Sequence, residues 1–234
     1  LDLQTWGSEK SVYFEIDDDF VELNYPRLFR DQLVLNQLNA RLGMQIGEQY
    51  YQLQSGLMEA ATEHVRGSTQ MSLRIPKDFA QSPFLQLQAT LRNGDGAYTP
   101  QYLPAGVIGD DIVSWLDGAV MQGDLLRGDI LVHGPTQPGQ TEPLGILLGF
   151  TVENAELQFL PDWKEPIRNG LADVIVDNGE VTAEVLKASY YDQELQRGHV
   201  HASAYTSGNS SILSVTGQTR GRAEAGTVLL QQTP

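Results

Sequence analysis

The chain has 234 residues, with 30 acidic against 15 basic side chains, a formal charge of −15 and no cysteine. The acidic balance excludes a phosphate-backbone binder, which needs clustered Lys and Arg to release counterions, so no nucleic-acid partner is expected. The absent cysteines exclude disulfide scaffolds, thiolate nucleophiles and cysteine-ligated metal sites. Glycine and proline number 23 and 11, and 41% of residues are hydrophobic, a composition that folds.

Taken in chain order, the dominant signal is period-two alternation, which sends successive side chains to opposite faces of a strand. Tyr13–Ile16 and Phe20–Leu23 read as strands, and Asp17-Asp18-Asp19 as the turn between them rather than a calcium loop, whose glycine and terminal glutamate are missing. Leu38, Ala40, Leu42, Met44 and Ile46 alternate with Asn39, Arg41, Gly43 and Gln45. Leu33 and Leu35 fall on the opposite parity, so a bulge or bend near Asn36–Gln37 is expected within one long extended segment. Val65 to Ile75 alternates until Pro76 stops it. Leu85, Leu87, Ala89 and Leu91 form the next strand, closed by a turn at Asn93-Gly94-Asp95-Gly96.

Ile108 to Met121 breaks this rule. Ile112, Val113, Leu116 and Val120 fall on one side at helical spacing, with Asp110 as the expected N-cap and Gly123 as the stop, so one helix is predicted over 110–121. Strand patterns then resume at Ile130 and Val132, at Leu148, Phe150 and Val152, and at Ala155, Leu157 and Phe159. Ala172, Val174 and Val176 lead through the hairpin signal Asp177-Asn178-Gly179 to Val181, Ala183 and Val185. Val200, Ala202 and Ala204 follow, then Leu213 and Val215, giving about a dozen strands in all. The expected organisation is a first β block over 1–96, a helical segment over 97–122 and a second β block over 123–234.

The longest apolar stretch, Pro143 to Val152, is about half the roughly 20 residues a membrane-spanning helix requires. Leu1 is followed by no charged and then apolar leader, so the sequence reads as a mature form or a piece of a longer chain. Sites for chemistry are scarce. The chain lacks G-x-S-x-G, H-E-x-x-H and a glycine-rich phosphate loop, so no catalytic residue and no cofactor is expected. His199 and His201 share one strand face, a spacing that suits a metal, but two solvent-facing polar residues is the plainer reading and no metal is expected. Tyr50, Tyr51, Trp163, Tyr190 and Tyr191 leave open a sugar-stacking platform on a β-sandwich.

Strands with one apolar face and too few helices to cover it must fold over, pack on a second sheet or leave an apolar groove. The fold class expected is therefore mainly β: a long meandering antiparallel sheet, curled into a groove or flattened into a sandwich, with one short helix. On the apolar face the expected lining is Leu38, Leu42, Met44, Met71, Leu73, Leu87, Leu91, Ile130, Val132, Phe150, Val152, Leu157, Phe159, Val174 and Val176. Ile112, Trp115 and Leu116 of the helix would gate the groove or cap one end of the sheet.

The middle of the chain carries a resemblance. Tyr102-Leu103-Pro104, the helix from Gly109 to Val120 with Trp115-Leu116, and the strand ending His133-Gly134-Pro135 occur in that order. Phe150-Thr151-Val152-Glu153-Asn154-Ala155-Glu156-Leu157-Gln158-Phe159 follows, then Pro161-Asp162-Trp163. Together they resemble the YhdP family of very large AsmA-like proteins of Gram-negative bacteria. The likeness is specific between about Ile75 and Val185. It departs from the family pattern at Thr136 to Leu144, and at Pro166, which in the family directly follows the tryptophan. The resemblance implies a β-taco groove that conducts phospholipid acyl chains across the periplasm. The full-length protein would be anchored in the inner membrane and reach the outer membrane, without an oligomer and without enzymatic activity. A carbohydrate-binding module and a purely structural periplasmic spacer are the alternatives.

Overall fold

A computed structural model describes residues 3–8, 10–26, 29–105, 110–137, 139–158, 165–191, 193–203 and 212–222. The described residues form fifteen strands: β1 (Leu3–Ser8), β2 (Ser11–Asp18), β3 (Val21–Leu23), β4 (Leu33–Leu35), β5 (Gln37–Ile46), β6 (Tyr50–Ser55), β7 (Met58–Ala61), β8 (Arg66–Pro76), β9 (Phe84–Asp95), β10 (Val120–Pro135), β11 (Gly145–Leu157), β12 (Ile167–Asp177), β13 (Glu180–Tyr190), β14 (Gln193–Ala202) and β15 (Leu213–Gly221). A 3-10 turn (Gly96–Tyr98) and two helices, α1 (Thr99–Tyr102) and α2 (Asp110–Ala119), lie between β9 and β10. No helix among the described residues is long and apolar enough to cross a membrane.

Thirteen strands make one large sheet, ordered β1-β2-β5-β6-β8-β9-β10-β11-β12-β13-β14-β15, with β7 pairing both β5 and β8. It is an antiparallel meander, mainly β as expected. Its alternating sequences are the reason: each strand offers one apolar and one polar face, and short connections keep chain neighbours adjacent. The β12–β13 connection is the clearest local case. Asn178 and Gly179 both take positive φ, 48° and 88°, between the paired ends Asp177 and Glu180. That is the primed two-residue turn whose twist matches the strands it joins.

Four expectations are corrected. Leu33–Leu35 does not run on into the next strand: the chain bends at Asn36, as expected, but β4 pairs with β3 in a separate two-stranded sheet, so the opposite parity of Leu33 and Leu35 reflects a change of sheet. Asn93-Gly94 is not a turn. β9 continues through it to Asp95, with Asn93 left-handed at φ 53°, and the chain turns only at Gly96. Helix α2 ends at Ala119 rather than Met121, and Gly123 lies inside β10, because Val120 already enters the ladder. About a dozen strands are expected and fifteen are described, β7 being too brief to show alternation.

The residues divide into two compact units. Unit 1 comprises 1–23, 33–92 and 129–148, and unit 2 comprises 24–32, 93–128 and 149–234. In unit 1 the buried apolar residues are Leu33, Leu35 and Ala40; in unit 2 they are Val113, Ala119 and Ala188. No large side chain is fully buried among the described residues.

Unit 2 contains an ordered pair of bulges. Asn154 in β11 and Asn169 in β12 are left-handed at φ 51° and 53°. A Cβ on Gly170 would lie 3.1 Å from the Cβ of Ala155, so the two irregularities are neighbours across the sheet. Each asparagine tolerates the left-handed conformation and takes up one extra residue, which reverses the parity of the strand beyond it.

Candidate functional site

Register lines the side chains of unit 1 into rows running across the strands, because residues directly opposite one another point to the same face. One row reads Val12, Met44, Leu53, Leu73 and Leu85 from β2 to β9. Phe14 and Leu42 begin the next, which Met71 and Leu87 continue. Beyond it, Leu38, Ala60, Gly67 and Leu91 stand opposite one another. The structure thus brings Leu38, Leu42, Met44, Met71, Leu73, Leu87 and Leu91 to a single face. Val12, Phe14, Ile16, Leu53 and Leu85 were missed as lining, although the alternation Val12, Phe14, Ile16 was visible in the sequence.

The opposite face of the same strands is polar. Gln54, Ser72 and Gln86 form one row, and Gln70 stands opposite Gln88. Segregation by face is nearly complete on β8 and β9, with Thr69 on the apolar side and Phe84, opposite Arg74, on the polar side.

Every apolar residue just named on the unit 1 face is only partly buried. Strands β5, β6 and β8 have partners on both sides, so neighbouring strands shield the flanks of Met44, Leu53, Leu73 and Met71. Their remaining exposure is over the face itself. In a closed sandwich a second layer would remove it, and interiors pack without such gaps. Ile130 and Val132, two residues apart on β10, are likewise partly buried in unit 1.

Unit 2 carries shorter side chains in equally regular rows. Val174, Ala183, Val200 and Val215 form one row, and Val176, Val181, Ala202 and Leu213 the next. Toward β15 the rows open fully, with Val215 63% exposed. Phe150 and Val152 join the face of Val174, because the Thr151 hydroxyl between them donates 2.7 Å to Asp173 Oδ1 on the other side. Leu157 has the wrong parity for that face by simple counting. The bulge at Asn154 corrects it: Glu156 lies on the polar side, accepting 2.7 Å from Gln122 Nε2 and 3.2 Å from Arg168 Nε, which leaves Leu157 on the apolar side. Phe159 lies outside the described residues, as does Trp163.

On the polar side of unit 2, His199 Nδ1 is 2.7 Å from Glu184 and His201 Nε2 is 2.9 Å from Glu180. The two imidazoles do share a face, each with its own cross-strand carboxylate. Sequence reading missed both glutamates because the partnership depends on the β13–β14 register. No group of three or more metal-ligating side chains is gathered among the described residues.

Helix α2 buries Val113 and Ala119 and partly buries Leu116, while Trp115 is 40% exposed. The side chain of Ile112 lies outside the described residues. Arg30 ties the helix to the segment before β4. Its guanidinium donates 2.6 Å and 2.8 Å to the two carboxylate oxygens of Asp117 and 2.7 Å to the carbonyl of Pro100. The hydrogen bond from Arg30 holds the Asp117 carboxyl below its ordinary range, and the same bond raises Arg30. A depressed carboxyl stabilises the fold fully above its unfolded value of about 4 and loses that contribution as pH falls through the lower folded value. The pair is solvent-exposed, so the effect is screened by salt. Asp117→Asn should therefore flatten the acid limb of unit 2 stability. Denaturant midpoints measured from pH 7 to pH 3 check this, and an unchanged acid limb in the variant would contradict it.

Comparison with known proteins gives the following. The family model described as YhdP protein matches residues 1–234. Among curated proteins, the chain is similar to the "Intermembrane phospholipid transporter YhdP" of Escherichia coli (strain K12), with 25% identity over 151 residues, covering 61% of this chain and 11% of that protein. The chain thus spans about a tenth of that relative's length. No solved structure matches.

Proposed function

The chain belongs to the YhdP family, and on that premise we propose that it is a non-enzymatic, lipid-carrying segment whose apolar sheet face holds phospholipid acyl chains. The observation that carries the reading is the unit 1 face: apolar rows from β2 to β9 whose side chains keep part of their surface in solvent. Each methylene that settles on such a face contributes about 0.8 kcal/mol, so retention needs no specific polar contact. Movement along the face needs none either, since successive rows are built mainly of apolar side chains. The name of the E. coli relative, an intermembrane phospholipid transporter, supports phospholipid as the cargo.

In the same reading headgroups stay wet while the chains lie along the apolar face. The segment works in the periplasm, within a longer protein anchored in the inner membrane and extending toward the outer membrane. Phe150, Val152, Leu157, Val174 and Val176 form a lining of the same kind within unit 2. Helix α2, fastened by Arg30, caps one end of the sheet rather than gating it.

Native mass spectrometry of the purified chain, with lipid extraction of the same sample, tests the proposal. Co-purifying phospholipid at near-stoichiometric occupancy is expected. A clean ligand-free mass, in conditions that preserve weak apolar complexes, would make the segment a structural spacer.

A further inference from the structure

The polar face of unit 1 holds a second arrangement, on the side of the sheet away from the apolar rows. Trp6, Tyr13, Gly43, Gln54, Ser72 and Gln86 form one continuous register row across β1, β2, β5, β6, β8 and β9. At its start the rings of Trp6 and Tyr13 stack 5.9 Å apart at 16°, and they remain 50% and 36% exposed. Gly43 makes room for that platform: a Cβ there would lie 3.1 Å from Cε1 of Tyr13, closer than ordinary contact, so a side chain would shift the ring by a few tenths of an ångström. Further along the row, Gln54, Ser72 and Gln86 join Gln52, Arg74 and Phe84 in lining a depression of about 250 Å³. The Arg74 guanidinium is held 4.9 Å above the centre of the Tyr50 ring.

This chemistry selects its ligand. Glutamine amides and a serine hydroxyl both donate and accept, which suits hydroxyl groups that do the same. No carboxylate lies in the row, and Arg74 is the one cation among the residues lining the depression, so neither a cationic nor a polyanionic ligand is favoured. Exposed, flat aromatic faces accept the C–H faces of a sugar ring. Side chains in a register row recur at the strand spacing of about 4.8 Å, comparable to one pyranose along a linear chain. We propose that the polar face of unit 1 binds a linear oligosaccharide laid across the strands. A sugar would stack on Trp6 and Tyr13, and hydroxyls would bond to Gln54, Ser72, Gln86 and Arg74. The site is independent of the lipid reading, because it occupies the other face.

Calorimetric and NMR titration of the whole chain with chitotetraose and with cellotetraose tests it, alongside co-sedimentation with phosphatidylglycerol vesicles. Saturable binding of at least one tetrasaccharide is expected. Trp6→Ala should weaken it about tenfold, corresponding to the loss of one stacking contact. Gln54→Ala should weaken it severalfold with an unchanged far-UV spectrum, and Met71→Asp, on the opposite face, should leave it unaltered. Absence of saturable binding to both sugars would overturn the proposal, as would binding that Trp6→Ala and Gln54→Ala leave intact. Vesicle binding that depends on Trp6 without any sugar binding would also overturn it, in favour of a membrane-contact face.

Discussion

Replacing Met71 by aspartate should abolish photo-cross-linking of a phospholipid acyl chain to the protein while leaving its far-UV spectrum and cooperative unfolding in place. Met71 sits on β8 opposite Leu87, and its backbone N–H donates 2.8 Å to the Ser55 hydroxyl. Its side chain is only partly buried. A carboxylate there remains in reach of water when the face is empty, so the stability cost stays near 1–2 kcal/mol, the range of ordinary substitutions. An acyl chain laid over it removes that water, and an unpaired charge against hydrocarbon costs several kcal/mol. A loss of about 3 kcal/mol of binding is about a hundredfold. Phe150→Asp makes the same comparison in unit 2. Wholesale unfolding of both variants would mean that the face is a closed core.

Ala40→Asp, by contrast, should unfold unit 1 or lower its denaturant midpoint sharply. Ala40, on β5 opposite Ile16 of β2, is 3% exposed and is one of three buried apolar residues among the described residues of unit 1. A charge there has neither solvent nor a partner, and an uncompensated buried charge costs about 3–5 kcal/mol. Domains are typically stable by only about 5–15 kcal/mol. Burial raises the introduced carboxyl's pKa, so the folded state binds the extra proton more tightly than the unfolded chain. The destabilisation is then largest at neutral pH and shrinks as pH falls. Equilibrium urea unfolding at pH 7 and pH 4 reads both effects, and a midpoint near that of the parent at pH 7 would mean that Ala40 is as open to water as its neighbours on the face. The same substitution at two positions of one sheet face thus separates a position that stays in reach of water from one that does not.

Much of the sheet is legible in the sequence because alternation is a local property. Leu38 to Ile46 and Val65 to Ile75 each predict a strand and its apolar face, and β5 and β8 occupy them with the expected parity. What escapes is set by partners. Leu33 and Leu35 look like the start of β5 until β3 is seen to pair with them. The carboxylates beside His199 and His201 lie 15 and 21 residues away in sequence. Val152 and Leu157 are both expected on the apolar face although their spacing forbids it in a regular strand, and only the left-handed Asn154 reconciles them. Partial burial is the least legible property of all. Leu, Met and Val alternate in the same way whether a second layer, a ligand or water covers them.

The paired bulges at Asn154 and Asn169 have a consequence for how such a chain changes by inheritance. Each is in effect a one-residue insertion. Deleting Asn154 alone would send Leu157 to the polar side and swing Glu156 away from Gln122 and Arg168, to which it is bonded at 2.7 Å and 3.2 Å. Deleting Asn169 alone would do the same to Arg168 from the other strand. Neither residue can be lost first without cost, so the two insertions behave as a ratchet. Single substitutions can drift across the apolar rows, where any branched or straight aliphatic side chain serves, but chain length within these strands is locked by the neighbour.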